Sequence, residues 1–182
     1  GTYNQHWFDR GTRVVPSRRT SFIVDPPDGK LPALTPEEQR RVAAAEKAKP
    51  QRPASYADID VGERCITDGL PLVPFVYNNN YQILQTPDHV AILHEMYQEL
   101  RIIPLDGRPH VPQSIGQWFG DSRGRWEGNT LVVDTTNFAD KLHMVWAADW
   151  RAARPTLHLI ERFTRVDADT IEYRFTIEDP AM

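Results

Sequence analysis

The chain has 182 residues, of which 40% are hydrophobic and 10% aromatic, so it is long enough to bury a core without disulfides or metals. Its net charge is −4, and its Lys and Arg residues are interleaved with Asp and Glu, which argues against a nucleic-acid-binding surface. The longest apolar runs are much shorter than the roughly 18 residues of a membrane-spanning helix.

Residues 1–74 predict a loop-rich N-terminal region that carries one surface helix, at about 35–49. Thr35 can cap this helix, Pro36 suits its first turn and Glu38 follows the cap at the spacing of a capping box. Charged residues lie nearly all round the predicted helix, which is typical of an element on the surface.

Two Pro-rich segments flank the predicted helix. The first, SFIVDPPDG at 21–29, predicts a short β-type run that a Pro-Asp-Gly turn closes. The second, at 51–74, is rich in Pro, Gly and Asp and predicts a long ordered loop. It contains Cys65, the only cysteine, so an internal disulfide is excluded.

Residues 75–182 predict an antiparallel β core built from hairpins. The arms YQILQT and HVAILHEMY flank Pro87-Asp88, and ELRIIPL follows them. GRWEG and TLVVDTTNF form a second hairpin around Gly128-Asn129. LHLIERFTRV and TIEYRFTIE form a third around DAD, and its second arm alternates between apolar and polar residues without a fault.

Successive hairpins with charged outer faces predict a mainly β protein, in which antiparallel hairpins form a barrel or a sandwich. We expect this core and the N-terminal region to make one folded unit. Between the second and third hairpins, Leu142, Trp146 and Trp150 have the spacing of one helix face, which predicts a short helix or an aromatic-lined loop.

The stretch GDSRG at 120–124 fits the Gly-x-Ser-x-Gly pattern of serine hydrolases. A nucleophilic serine of that type lies between a strand and a helix, whereas Ser122 is followed by the strand-turn-strand pattern RGRWEGNTLVV. We therefore interpret Asp121 and Ser122 as residues that hydrogen-bond their own turn.

Metal-binding motifs are incomplete, and the sequence names no cofactor. HEMYQ at 94–98 begins like the zinc-protease motif but has Gln98 where a second histidine is required. A site assembled from distant residues stays open, with a carboxylate and some of the following histidines: His94, His110, His143 and His158.

Two polar residues fall on apolar faces of the predicted strands. Glu161 alternates with Leu159 and Phe163, and His94 alternates with Ile92. A buried carboxylate requires an Arg, a backbone donor or a ligand as its partner. These groups therefore point into a lumen or cleft, or they form an internal Glu-Arg or Glu-Trp contact that stabilises the fold.

Carbohydrate chemistry is a further possibility, because a glycosidase requires two carboxylates and sugars stack on Trp rings. The available carboxylates are Glu127, Asp134, Glu161 and Asp179, and the available Trp residues are Trp118, Trp126, Trp146 and Trp150. The candidate ligand-binding residues are His94, Arg101, His110, Trp118, Trp126, Glu127, Glu161 and Arg162.

Four sequence blocks resemble an uncharacterised family of exported bacterial proteins that share them in this order: YNNNYQILQTPDHVAILHEM, RIIPLDGRPH, GDSRGRWEGNTLVVDTTNF and ERFTRVDADTIEYRFTIEDP. The resemblance covers nearly the whole chain, including DRGTRVVPSRRTSFIVDPPDGKLPALTPE near its start. It implies a periplasmic or secreted location, with Gly1 and Met182 as fragment ends. It implies no activity and no catalytic residues.

Three hypotheses about function follow. The first is an exported β-rich domain that binds a polar small molecule or carbohydrate in a barrel mouth or a cleft. The second is a hydrolase or lyase that uses acid/base carboxylates or a distributed His metal site. The third is a non-catalytic accessory subunit of a larger envelope assembly, which the long loops would contact.

Overall fold

The computed structural model describes residues 3–8, 11, 20–48, 50–59, 61–67, 69–73, 77–140 and 155–180. Within these residues the protein is mainly β. The helix α1 is Pro36–Ala48, and short 3₁₀ turns occupy Tyr3–Trp7, Tyr56–Asp58 and Met96–Gln98. The strands are β1 (Tyr81–Gln85), β2 (His89–His94), β3 (Glu99–Pro104), β4 (Asp121–Glu127), β5 (Thr130–Thr136), β6 (His158–Arg165) and β7 (Ile171–Glu178).

Helix α1 begins where the capping pattern predicts. The Thr35 hydroxyl accepts a hydrogen bond from the Glu38 amide at 3.3 Å, which satisfies one of the free amides of the first turn. Most of the helix is exposed, although Glu38 is buried and its carboxylate lies 2.8 Å from the Arg41 guanidinium. The prediction of a surface helix is confirmed.

The strands form two antiparallel sheets, in the orders β1-β2-β3 and β4-β5-β6-β7. All three predicted hairpins are present, since β1 pairs with β2, β4 with β5 and β6 with β7. Strand β4 begins at Asp121, which is earlier than the sequence predicts. The two sheets as described do not close into a barrel, and the arrangement is sandwich-like.

The inner faces of the two sheets share one apolar cluster. The three-stranded sheet contributes Val90, Ile92 and Ile103, and strand β5 contributes Leu131 and Val133. Burial of these side chains supplies the main driving force for the packing of the sheets.

A second apolar cluster joins the N-terminal region to the sheets. Val61 and Leu70 are buried with Phe138, Leu157 and Leu159. The loop predicted at 51–74 is therefore ordered against the β core over part of its length.

One further prediction is wrong, and another concerns residues that the structure does not describe. The β-type run predicted at 21–29 is wrong, because this segment contains no strand. The Pro-Asp-Gly turn predicted to close it is present, with a hydrogen bond from the Gly29 amide to the Pro26 carbonyl at 3.0 Å. The helix or aromatic loop predicted from Leu142, Trp146 and Trp150 lies outside the described residues, as does His143. In the part of the chain that is described, no helix is both long and apolar enough to cross a membrane.

Candidate functional site

A buried ion pair connects the two sheets. Glu161 on β6 is 0% exposed, Arg101 on β3 is 6% exposed, and Arg101 Nη2 lies 2.5 Å from Glu161 Oε2. The other carboxylate oxygen accepts a hydrogen bond from the Tyr173 hydroxyl at 2.8 Å. The prediction that Glu161 lies on an apolar face and needs a partner is confirmed, and of the partners left open by the sequence the structure provides an arginine, Arg101.

The remaining contacts of Arg101 explain why Ser122 is a buried residue. Arg101 donates from Nε to Ser122 Oγ at 3.0 Å and from Nη2 to Thr135 Oγ1 at 2.7 Å. Ser122 and Asp121 are buried residues of strand β4, so the interpretation that they hydrogen-bond their own turn is wrong. Ser122 is not a nucleophile at a strand-to-helix turn, because its hydroxyl is buried against Arg101 and β4 continues as a strand.

Tyr173 completes the buried cluster. Burial, and then the charge of Glu161, raise the pKa of Tyr173 well above its usual value. The phenol oxygen accepts a hydrogen bond from the Leu72 amide at 3.1 Å while it donates to Glu161. The cluster thus joins both sheets and the N-terminal loop, and it stabilises the interior of the protein.

His94 also lies in the interior. It is buried on the inner face of β2, stacks on the Tyr81 ring at 4.3 Å, and has Nδ1 3.8 Å from Glu99 Oε2. A depression of about 340 Å³ lies elsewhere, between β1 and the turn that joins β6 to β7. His94 and Glu161 are therefore packed side chains and do not line that depression.

A cluster of ionisable side chains lies on the opposite, outer face of the four-stranded sheet. We call it the histidine–carboxylate strip. Each of the four strands of this sheet contributes one member, and the loop before β4 contributes His110. The strip therefore comprises Asp121 (β4), Asp134 (β5), His158 (β6), Glu178 (β7) and His110.

Imidazoles and carboxylates alternate along the strip. His110 contacts Asp121 through Nδ1 at 3.0 Å and Asp134 through Nε2 at 2.9 Å. His158 contacts Asp134 through Nε2 and Glu178 through Nδ1, both at 2.9 Å. Asp134 is therefore the shared centre, with one histidine on each of its oxygens.

The Asp121 end of the strip is held by the loop before β4. Asp121 Oδ2 accepts from the Val111 amide at 3.0 Å, and Oδ1 accepts from Arg123 Nη1 at 2.7 Å. The buried side chain of Asn137 donates to the carbonyls of Val111 and Pro112. These bonds fix the loop beside the end of β5 and thereby place His110 over the sheet.

The hydrogen bonds of the strip shift the pKa values of His158 and Asp134. Burial lowers the pKa of His158, but hydrogen bonds to Asp134 and Glu178 outweigh it, and the net shift is upward. Burial raises the pKa of Asp134, but hydrogen bonds to His158 and His110 outweigh it, and the net shift is downward. Because both ring nitrogens of His158 face carboxylates, both contacts are hydrogen bonds only when the ring is an imidazolium.

The strip retains the capacity to accept hydrogen bonds at its surface. The Asp134 side chain is 30% exposed and that of Glu178 is 60% exposed. A carboxylate offers about four acceptor positions, whereas the strip itself uses two at Asp134 and one at Glu178. A ligand that donates hydrogen bonds therefore matches this surface.

The predicted site residues do not gather at one place. His94, Arg101 and Glu161 lie between the sheets, and His110 lies in the strip. The other predicted residues are not members of either group: Glu127 and Arg162 pair with each other on the same outer face, next to the strip, Trp118 packs against the second apolar cluster, and Trp126 is exposed.

Among the members of the strip, the sequence predicted His110 as a candidate ligand-binding residue, His110 and His158 as possible metal ligands, and Asp134 as an available glycosidase carboxylate. Asp121 was interpreted as a turn residue, and Glu178 was not predicted as a site residue. Alternation in the third hairpin places His158 and Glu178 on a polar face, which is a usable signal. It does not reveal that β5 brings Asp134 between two histidines, because that depends on the pairing of strands far apart in sequence.

The distributed His metal site has no counterpart in the described residues, where no group of three or more His, Cys, Asp or Glu side chains is arranged to hold a metal ion. His94 lies on the inner face, apart from His110 and His158. His110 and His158 contact different oxygens of Asp134, and both contacts have the distances of hydrogen bonds.

Comparison with known proteins adds no family assignment. No protein-family model matches the chain, and searches of curated proteins and of solved structures find no significant match.

Proposed function

We propose that this protein is an exported β-rich domain that binds a polar small molecule, most simply a carbohydrate, on the outer face of its four-stranded sheet. The observation that carries the proposal is the position of Asp134, half-buried between two histidines that hold both of its oxygens. A side chain fixed in this way binds a ligand without a large loss of its own conformational entropy.

The chemistry of the strip favours hydroxyl groups. Sugar hydroxyls donate to carboxylate oxygens, and such charge-assisted bonds are stronger than bonds between neutral groups. The exposed acceptors belong to Asp134 and Glu178, which lie on opposite sides of His158. Two hydroxyls of one sugar would therefore meet two carboxylates in a fixed arrangement.

The site proposed here is on the surface, in contrast to the barrel mouth or cleft expected from the sequence. Arg101 and Glu161, the polar groups between the sheets, are buried and paired with each other. An exported location rests on the resemblance of the sequence blocks.

Asp134→Asn is the decisive variant. A panel of neutral and acidic sugars is titrated into the protein, and binding is measured by NMR. We expect the wild-type protein to bind at least one of these sugars. Asp134→Asn should weaken that binding about tenfold or more, because it loses a charge-assisted hydrogen bond. Asp88→Asn, at an exposed carboxylate in the turn between β1 and β2, is the matched control. A panel without any binding, or equal binding by Asp134→Asn, would refute the proposal.

A second candidate is a hydrolase or lyase that uses acid/base carboxylates. It is favoured by the Asp121–His110 pair, in which a buried carboxylate orients an imidazole towards a second carboxylate, Asp134. Turnover of glycoside or ester substrates that is lost in His110→Asn and retained in His6→Asn would establish this function. Binding without turnover would leave the first proposal.

A further inference from the structure

A row of arginines crosses the same outer face beside the strip. Arg125 on β4 is opposite Val132, Val132 is opposite Arg162 on β6, and Arg162 is opposite Arg174 on β7. Like charges directly opposite each other on neighbouring strands repel. A row of this kind therefore favours the binding of an anionic group.

The carboxylates beside the row neutralise only part of its charge. Glu127 is shared, with Oε1 2.8 Å from Arg125 and Oε2 2.5 Å from Arg162, and Arg174 pairs with Glu172 at 2.8 Å. These five groups carry three positive and two negative charges. The three arginine side chains are between 43% and 72% exposed, so a ligand can reach them from solvent.

Arg162 has hydrogen-bonding capacity beyond its contact with Glu127. That contact engages Nη2, whereas a guanidinium carries five N–H donors in a planar fork. The fork matches a carboxylate, which it binds through two parallel hydrogen bonds.

The row and the strip lie close enough for one ligand to contact both. On β5, Val132 of the row and Asp134 of the strip point to the same face and are two residues apart, which is about 7 Å along a strand. Arg162 is opposite Val132 on β6, and its contact with Glu127 of β4 directs its side chain across β5. The carboxylate of Asp134, which accepts from hydroxyls, and the guanidinium of Arg162, which donates to anions, thus lie on the same face of the sheet.

We infer that the ligand of the outer face is an acidic carbohydrate, whose hydroxyl donates to Asp134 and whose carboxylate binds the Arg162 guanidinium. This inference rests on the proposed function and adds the chemical class of the ligand. Binding is noncovalent, and selectivity for the acidic sugar comes from the arginine row.

The test compares sugars that differ only in the acid group. D-glucose and D-glucuronate form one pair, D-galactose and D-galacturonate another, and each is titrated into the folded protein by NMR. We expect a uronate to bind about tenfold more tightly than its neutral partner, because hydrogen bonds to charged groups are the stronger ones. Arg162→Gln should remove this advantage and leave neutral-sugar binding unchanged.

Two variants act as controls. Arg162→Lys keeps the charge without the fork and should retain only part of the preference. Arg40→Gln, at an exposed arginine of α1 outside the outer face, should retain all of it.

The outcomes separate the two proposals. If a neutral sugar binds at the strip and its uronate binds no more tightly, or if Arg162→Gln weakens both equally, the acidic-ligand inference is overturned and the proposed function stands. Binding of uronate that is insensitive to Asp134→Asn also overturns the inference, since the ligand then lies off the strip. If neither member of any pair binds, the proposed function itself fails.

Discussion

At the residue scale, Glu161 has the most constrained charge in the molecule as described. Its carboxylate is fully buried, and Glu161→Gln would leave the charge of Arg101 buried without a counter-ion. We expect a loss of about 3–5 kcal/mol in the free energy of unfolding, the typical cost of removing one partner from a buried ion pair. Urea denaturation monitored by circular dichroism measures it.

The control for this prediction is Glu172→Gln, which removes the carboxylate of an exposed ion pair on β7. Exposed pairs contribute about 1 kcal/mol or less, so this variant should unfold nearly as the wild type does. Equal losses in both variants would show that burial does not set the cost at Glu161.

His158 gives a pH dependence at the same scale. Its pKa in the folded protein lies above the ordinary value of 6.5, so the folded state binds the proton more tightly than the unfolded state. The resulting stabilisation is complete below about pH 6.5 and is lost as the pH rises through the folded pKa. Urea denaturation between about pH 6 and pH 9 should show this decline, and it should be absent from His158→Asn.

His6→Asn is the matched control, because His6 is exposed on the first 3₁₀ turn. It should keep the decline of the wild type. A decline of the same size in His158→Asn would contradict the prediction.

At the scale of elements, Gly124 determines how closely β3 approaches β4. An added Cβ would lie 2.7 Å from Leu105 Cδ2 and 2.8 Å from Ile103 Cγ2, and Ile103 is fully buried. Gly124→Val should therefore overpack the space between the sheets and cost about 1–3 kcal/mol of stability, measured by urea denaturation.

The comparison is with Arg125→Val, at the next residue of β4, where the side chain points to solvent. This change should cost much less because the added branch meets no packed core. If Gly124→Val were as stable as Arg125→Val, the close approach of the strands would not constrain position 124.

At the scale of the whole molecule, the N-terminal loop and the β core share an apolar cluster. Leu70 is buried against Phe138 and Leu157. Leu70→Ala should cost about 2–5 kcal/mol, with a single unfolding transition for the whole chain. Leu31→Ala, at an exposed position, should cost little. A separate transition for the N-terminal region would contradict the expectation of one folded unit.

Much of the fold was predictable because its signals are local. Alternation in β7, the Gly128-Asn129 turn and the Thr35 cap each depend on residues close together in sequence. A local pattern also gave a wrong prediction at 21–29, where the β-type run has no neighbouring strand to pair with among the described residues.

The sequence by itself determined the hairpins, the surface helix and the need of Glu161 for a polar partner, because alternation and capping act within a few residues. Only the tertiary structure decided that the partner is Arg101 and that Ser122 is buried beneath it. It also decided that Asp134 lies between His110 and His158. The physical reason is that these contacts depend on strand register and sheet packing, which join residues that are distant in the chain.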